Sequence, residues 1–334
     1  MRCCSCFRGW AEGVAMITVF NGLMSPILYM LLFIAAGFIL GRLKVLPEGA
    51  ALVLSKLESN LFIPAMILNA FIRNCTLQSI AEAYPAMLLS VALEMVLIII
   101  SRPLSGLFAK SGYERDLYRY ELIYPNTGFF GYALVQAVFG PETLYHFMLF
   151  VLPMTMGCYT IGVSLLTPGG SDPKAQWTRL LNPSRISIAA GIALGLLGFG
   201  EVMPTFLSDA IAAGAAIFSP LAMLLTGITV SGFALKDLLG DARSYGVILL
   251  RMIVFPVLLL GIAYLSGAGD QILIFALFVH ALPLGLNPVI YPPQFGRDAR
   301  PGASMALIST VLSLLILPLF YALLLKLLGQ LPVA

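Results

Sequence analysis

Apolar residues along this chain come in long unbroken runs, separated by short stretches rich in Gly, Pro and charge. Ten runs stand out, at 17–41, 50–72, 83–109, 117–139, 143–166, 183–200, 205–234, 244–266, 271–295 and 302–328. About 20 apolar residues in helical form cross a bilayer, so each run predicts one spanning helix. The longest linker, 167–182 (TPGGSDPKAQWTRLLN), is too small for a folded soluble domain and divides the chain into two halves of five spans. The pattern therefore predicts an all-α polytopic membrane protein with ten transmembrane helices. It has an N-terminal extension at 1–16, a first five-helix repeat at 17–166, a cytoplasmic linker at 167–182 and a second five-helix repeat at 183–328.

Composition narrows the class. Of 334 residues, 60% are apolar and 10% charged, against about 25% charged in soluble domains. Too much apolar surface is present for a soluble enzyme. A net charge of +3 without a Lys/Arg-rich stripe excludes a nucleic-acid partner. The five cysteines and two histidines (His146 and His280) have no metal-ligand spacing, so no metal is expected. HExxH, GxSxG and GxxxxGK[ST] are all absent, so neither an enzyme nor an ATP-driven pump is expected, and no cofactor.

Charge sets the expected orientation. Linkers after odd-numbered spans, with Arg185 at the adjoining mouth of span six, hold thirteen basic residues, whereas those after even-numbered spans hold Arg73 alone. Basic residues in short loops stay cytoplasmic, which predicts odd linkers inside and both termini non-cytoplasmic. Arg2 and Arg8 dissent. The expected location is a bacterial inner (plasma) membrane.

The halves echo each other. Pro64 in LFIPAMIL answers Pro220 in IFSPLAMLL, Pro125-Asn126 answers Asn287-Pro288, and Pro153 answers Pro318. Because five spans is an odd number, the second half enters from the opposite side, giving the inverted repeat of secondary transporters.

Spans four and nine cannot be straight. Span four carries Pro125, Asn126, Thr127, Gly128 and Gly131; span nine carries Pro283, Gly285, Asn287, Pro288, Pro292 and Pro293. Proline removes a donor and clashes with the preceding turn. Broken backbone at membrane depth is tolerated where it lines a cavity or is buried in protein, and the N-terminal end of a half-helix attracts an anion. Asn126 and Asn287, at equivalent breaks, are the leading substrate-binding candidates, with Pro125, Thr127, Gly128, Pro283 and Pro288 beside them.

These residues resemble a known family. The run NTGFFGYALVQAVFG at 126–140 is similar to the fourth-span signature of the auxin efflux carrier family, Asn-x-Gly-x-x-Gly-x-Pro ending in Phe-Gly, with Ala133 in place of the proline. Pro283, Asn287, Phe295-Gly296 and Asp298 resemble its ninth-span pattern, apart from the unusual Pro292-Pro293. SPLAMLLTG at 219–227 and LLRMIVFP at 249–256 resemble its seventh and eighth spans. The resemblance covers about residues 16–328, and the short central linker is like that of prokaryotic members. It implies a crossover fold shared with bile acid and sodium–proton transporters. Spans one, two, six and seven form a scaffold, dimeric in the family reading, and spans three to five and eight to ten form the moving unit. The substrates it implies are organic anions.

Ionisable groups within apolar runs are functional candidates. Glu94 (span three) and Arg251 (span eight) occupy equivalent spans and are expected either to pair or to take part in transport. His280 is a candidate for proton coupling, Glu121 a hydrated carboxylate at the cavity mouth, and Lys56 a snorkelling lysine or a replacement for a coupling cation. Glu58, two residues from Lys56, is expected on another face of the helix. The expected function is a carrier of small organic anions by elevator-like alternating access, with H⁺, Na⁺ or no coupling ion. The alternatives are a cation/proton antiporter on the same fold and a non-transporting ligand sensor.

Overall fold

The computed structural model describes residues 25–26, 28–47, 49–167, 183–232 and 242–329. The expected extension at 1–16 and all but the first residue of the 167–182 linker lie outside the described residues. The described chain is helical throughout, with no strand among the described residues.

The helices are α1 (Leu28–Arg42), α2 (Ala50–Asn74), α3 (Leu77–Phe108) and α4 (Gly112–Ile123), followed by a continuous stretch from Thr127 to Leu166. That stretch has 40 residues, about 60 Å at 1.5 Å per residue, or twice the hydrocarbon core. It is not one rod. Gly140 has φ 83° and ψ 179°, a conformation open to glycine, and divides it into α5 (127–139) and α6 (141–166). Then come α7 (Pro183–Leu196), α8 (Thr205–Ser231), α9 (Ala242–Leu265), α10 (Asp270–Ala281), the single turn α11 (Asn287–Ile290) and α12 (Arg300–Leu327). Among the described residues, five helices qualify as spans by length and apolarity alone, with Thr127–Leu166 taken as one, and six if the two parts of α12, bent by 47°, count as one. The shorter α1, α7 and α10 are also apolar.

Each element is legible locally. Thr76 and Ser79 cap each other at the start of α3, and Ser111 accepts the Glu114 N–H at the start of α4. Both breaks follow from proline. A residue before proline is pushed out of the helical region. Tyr124 has φ −108° and ψ 105°, and Leu282 has φ −59° and ψ 149°, each directly before Pro125 or Pro283.

Packing separates two groups of helices. In one, α2 lies against α7 and α8. A Cβ on Gly37 of α1 would strike the carbonyl of Leu224, and one on Gly227 of α8 the carbonyl of Ile34. The two backbones touch through glycine, as small residues permit between helices in lipid. Gly227→Leu is expected to cost about 1–3 kcal/mol through overpacking and to lower the melting temperature in detergent; an unchanged melt would show that α1 moves aside freely. In the other group, α3 packs on α4 and α6, α10 on α9 and α12, and α9 on α12.

The start of α12 is tied to the start of α4. The Tyr113 hydroxyl donates to the Asp298 carbonyl (2.6 Å), and Arg297 lies 5.1 Å from the Tyr113 ring centre. The Asp298 carboxylate accepts the Arg300 backbone N–H and pairs with its guanidinium at 2.8 Å. These hydrogen bonds hold its pKa below the usual aspartate value, so the Asp298–Arg300 pair is intact at neutral pH and is lost as pH falls through that lowered value, while the Tyr113 bond to the backbone carbonyl does not titrate. The acidic residue of the ninth-span pattern thus anchors a helix start and stays off the cavity.

Candidate functional site

The breaks of the two interrupted helices meet. Pro125 and Leu284 form an antiparallel bridge, and the Asn126 N–H donates to the Pro283 carbonyl at 2.9 Å. Gly131 allows the approach, since a Cβ there would lie 2.6 Å from the Leu282 side chain. Two extended snippets, each left without helical partners by its proline, satisfy one another.

A cavity of about 300 Å³ opens beside this crossing. Its walls come from α2 (Ser55, Ser59), the α4–α5 break (Tyr124, Pro125, Asn126), α5 (Thr127, Gly128), α6 (Cys158, Tyr159), α7 (Ser184, Arg185) and the α10–α11 break (Gly285, Leu286, Asn287). The helix widens to π geometry at Glu58–Phe62, Thr127–Gly131, Cys158–Gly162 and Leu250–Val254. Such wide turns concentrate at functional sites, and the first three contribute cavity-lining residues.

The two asparagines are not equivalent. The Asn126 side-chain oxygen accepts the Phe129 N–H at 3.3 Å, and its carbonyl accepts from Phe130 and Gly131, at 3.3 and 2.9 Å. Asn126 therefore caps α5 with its oxygen and has its amide N–H₂ available at the cavity wall. The Asn287 amide donates to the Tyr120 hydroxyl (2.7 Å) and lies 3.5 Å from the Cys158 sulfur; Tyr120 and Cys158 are 3.1 Å apart. Asn287 is thus committed to a polar knot joining α4, α6 and α11.

The remaining sequence candidates fall elsewhere. Pro125, Thr127 and Gly128 line the cavity, and a Cβ on Gly128 would meet nothing within 4 Å. Pro283 and Pro288 do not line it: Pro283 supplies the carbonyl bonded to Asn126, and Pro288 packs against Gly302. Lys56 is exposed and off the cavity, while Glu58 is buried on another face of the same helix.

Two expectations are corrected. Glu94 and Arg251 do not pair, because each is drawn to the broken helix of its own half. Glu94 accepts from the Tyr124 hydroxyl at 3.1 Å. Arg251 donates to the carbonyls of His280 (2.6 Å) and Val279 (3.2 Å), the orphaned acceptors at the end of α10. Glu121 is no hydrated vestibule group. It has no exposed surface, and it accepts the Gly285 N–H at 3.1 Å. The α10–α11 break leaves that N–H without a helical acceptor, and the carboxylate replaces one. The His280 side chain is buried behind the crossover beside Arg251 and does not line the cavity.

The structure also brings in residues that sequence reasoning passed over. Tyr120, Tyr124, Tyr132, Tyr159 and Tyr291 line the cavity, as do Cys158 and Arg185. Arg185, by sequence a basic residue at the mouth of span six, lines the cavity with its guanidinium 4.1 Å from the Tyr159 ring centre. The available signal was an arginine in the first turn of a short apolar helix, just after Pro183.

Comparison with known proteins accords with this arrangement. A family model described as "Membrane transport protein" matches residues 23–321. A protein of Methanothermobacter thermautotrophicus described as an uncharacterized transporter is 25% identical over 315 residues, spanning 90% of this chain and 98% of the relative. With most of its length matched, this chain, an integral membrane protein, belongs to the membrane transport protein family, that of the auxin efflux carriers.

Proposed function

We propose that the protein is a secondary transporter of small organic anions, which bind in the cavity beside the crossing breaks. The observation that carries this reading is the joining of the two breaks next to a cavity that offers the Asn126 amide and the guanidinium of Arg185. An anion leaving water needs such pre-oriented dipoles to replace its hydration. Asn126, Thr127 and Gly128 form one lip of the cradle, and Asn287 steadies the other through Tyr120.

In this reading α4 with α5, and α10 with α11, are the fourth and ninth of ten crossings in a five-plus-five inverted repeat. The group containing α1, α2, α7 and α8 is the scaffold, through which two copies associate as a homodimer. The group containing α3 to α6 and α9 to α12 slides against it within the bilayer in an elevator motion. The membrane is the plasma membrane, with both termini outside. Coupling to H⁺ or Na⁺ is left to the experiment. Glu94, Glu121, His280 and Arg251 serve the crossover from behind, as gating or coupling elements.

The test is counterflow in liposomes. Liposomes that contain the protein and are preloaded with a monocarboxylate such as benzoate are expected to accumulate labelled benzoate, and Asn126→Asp is expected to stop it. Binding without counterflow would indicate a ligand sensor. Proton flux without any organic substrate would indicate an antiporter, a reading that the cavity disfavours: among the described residues no aspartate or glutamate lines it.

A further inference from the structure

Away from the cavity, α3 has two unlike faces. Its buried residues, among them Ala86, Ser90, Leu93, Leu97 and Ser101, share one side. Exposed on the other are Tyr84, Leu88, Val91, Met95 and Ile99, at steps of three and four residues. In an integral membrane protein such a stripe lies against lipid tails. The same steps carry it on to Arg102 and Gly106, both exposed, so the apolar stripe ends in charge.

The next helix adds to that charge. After a short turn α4 folds back and packs along α3. Arg115 of α4 lies across Gly106: a Cβ on that glycine would sit 3.7 Å from the Arg115 Nε. Arg119 follows one turn later on the same face of α4, level with Arg102 in this antiparallel pair. Its Nε is shielded from solvent and has no hydrogen-bond partner. Lys110, in the turn, is exposed. The nearby acids do not balance these four cations. The Glu114 carboxylate is held by Arg243 at 3.2 Å and by the Lys110 backbone N–H at 2.7 Å, and Asp116 makes no ion pair among the described residues.

We propose that the α3–α4 corner binds the phosphate of an anionic phospholipid, with one acyl chain lying along α3. This needs only the membrane and stands independently of the transport reading.

Both parts of such a lipid find a match. Guanidinium forks take phosphate oxygens in bidentate form, and Arg102 and Arg115 meet on one exposed face from two helices. Basic clusters at the membrane surface attract anionic headgroups. The apolar stripe has the right length as well. From Arg102 back to Val91 the helix rises about 16 Å, half of a hydrocarbon core of about 30 Å, which is the depth of one leaflet. A lipid with its phosphate at Arg102 therefore lays its tail over Ile99, Met95 and Val91. A zwitterionic lipid brings the same phosphate together with a cationic amine, which the four basic residues repel. A free phosphate ion has no use for the stripe.

The experiment is native mass spectrometry of purified full-length protein in a neutral detergent. The protein is titrated with phosphatidylglycerol or with phosphatidylcholine of identical chains. The first phosphatidylglycerol is expected to bind at least tenfold more tightly than the first phosphatidylcholine. The double variant Arg102→Gln/Arg115→Gln is expected to bind phosphatidylglycerol at least tenfold more weakly, with phosphatidylcholine unchanged. Arg102→Lys/Arg115→Lys keeps the charge, loses the forks and should fall between. Lys44→Gln, which removes an exposed cation elsewhere, should leave the preference intact. A hundredfold excess of inorganic phosphate should not displace the lipid. Should the double glutamine variant fail to fold, the lysine variant and Arg115→Gln alone carry the test, each expected to bind phosphatidylglycerol severalfold more weakly than wild type. Equal affinity of wild-type protein for the two lipids overturns the proposal, as does an unchanged preference in the folded arginine variants. An equal loss in Lys44→Gln would reduce the effect to diffuse surface charge, and displacement by phosphate would make the corner a site for free anions; either result also overturns it.

Discussion

Replacing Asn126 with aspartate is expected to abolish anion binding while leaving the fold intact. The side-chain oxygen that caps α5 by accepting the Phe129 N–H is retained. What disappears is the amide N–H₂, and a negative charge takes its place against the cargo. Losing a hydrogen bond to a charged group costs about 1.5–3 kcal/mol, roughly a ten- to hundredfold loss of affinity, and like-charge repulsion adds to it. Asn126→Ala also removes the cap and is expected to lower stability by a further 1 kcal/mol or so. The two variants therefore separate binding from folding: aspartate should match wild type in thermal melting and fail in binding. An aspartate variant that binds benzoate as wild type does would remove Asn126 from the site.

Arg251→Met is expected to be the most destabilising single change behind the crossover. Arg251 has no exposed surface, and it holds the Val279 and His280 carbonyls at the end of α10. It also lies in the field of buried Glu121. Its removal leaves two buried carbonyl acceptors unsatisfied. Each buried acceptor left unpaired costs about 1–3 kcal/mol, and together they lower the melting temperature by on the order of 10 °C. Glu121→Gln alone weakens the bond to the Gly285 N–H. Combined with Arg251→Met, it should cost less than the sum of the two, with a coupling of about 1 kcal/mol or more. Strictly additive losses in thermal melting would show that the two residues do not share one network.

The breaks themselves were readable in the chain. Pro125 and Pro283 are local signals that bias Tyr124 and Leu282 towards extended backbone, and the glycines and asparagines beside them turn that bias into a break, whereas Pro85, Pro103, Pro220 and Pro318 are carried inside helices. The same holds for the division at Gly140, where Phe139-Gly140 closes the fourth-span signature. Burial was less readable. Glu121, polar and five residues before Asn126, looked like a solvated group, and nothing in its neighbours revealed that the Gly285 N–H, from the other half of the chain, would need an acceptor. Glu94 and Arg251 were matched by span and opposite charge. Charge complementarity says which groups attract, but it carries no distance, and closer polar partners on Tyr124 and α10 took both.

Arg185 shows the same boundary from the other side. As a residue it is one more basic charge near a helix end, equal in sequence terms to Arg179 or Arg243. Only the packing of α7 on α2 turns it towards Tyr159 and the cavity. By itself, then, the sequence determined the class of solvent, the helical content and the places where helices must break. These follow from apolar run length and from proline, which act over a few residues. The tertiary structure decided that the breaks cross, that Asn126 and Asn287 have unequal roles, and that an arginine borders the cavity. They depend on contacts between separate elements, such as Asn126 with Pro283 and Asn287 with Tyr120, which a local pattern does not encode.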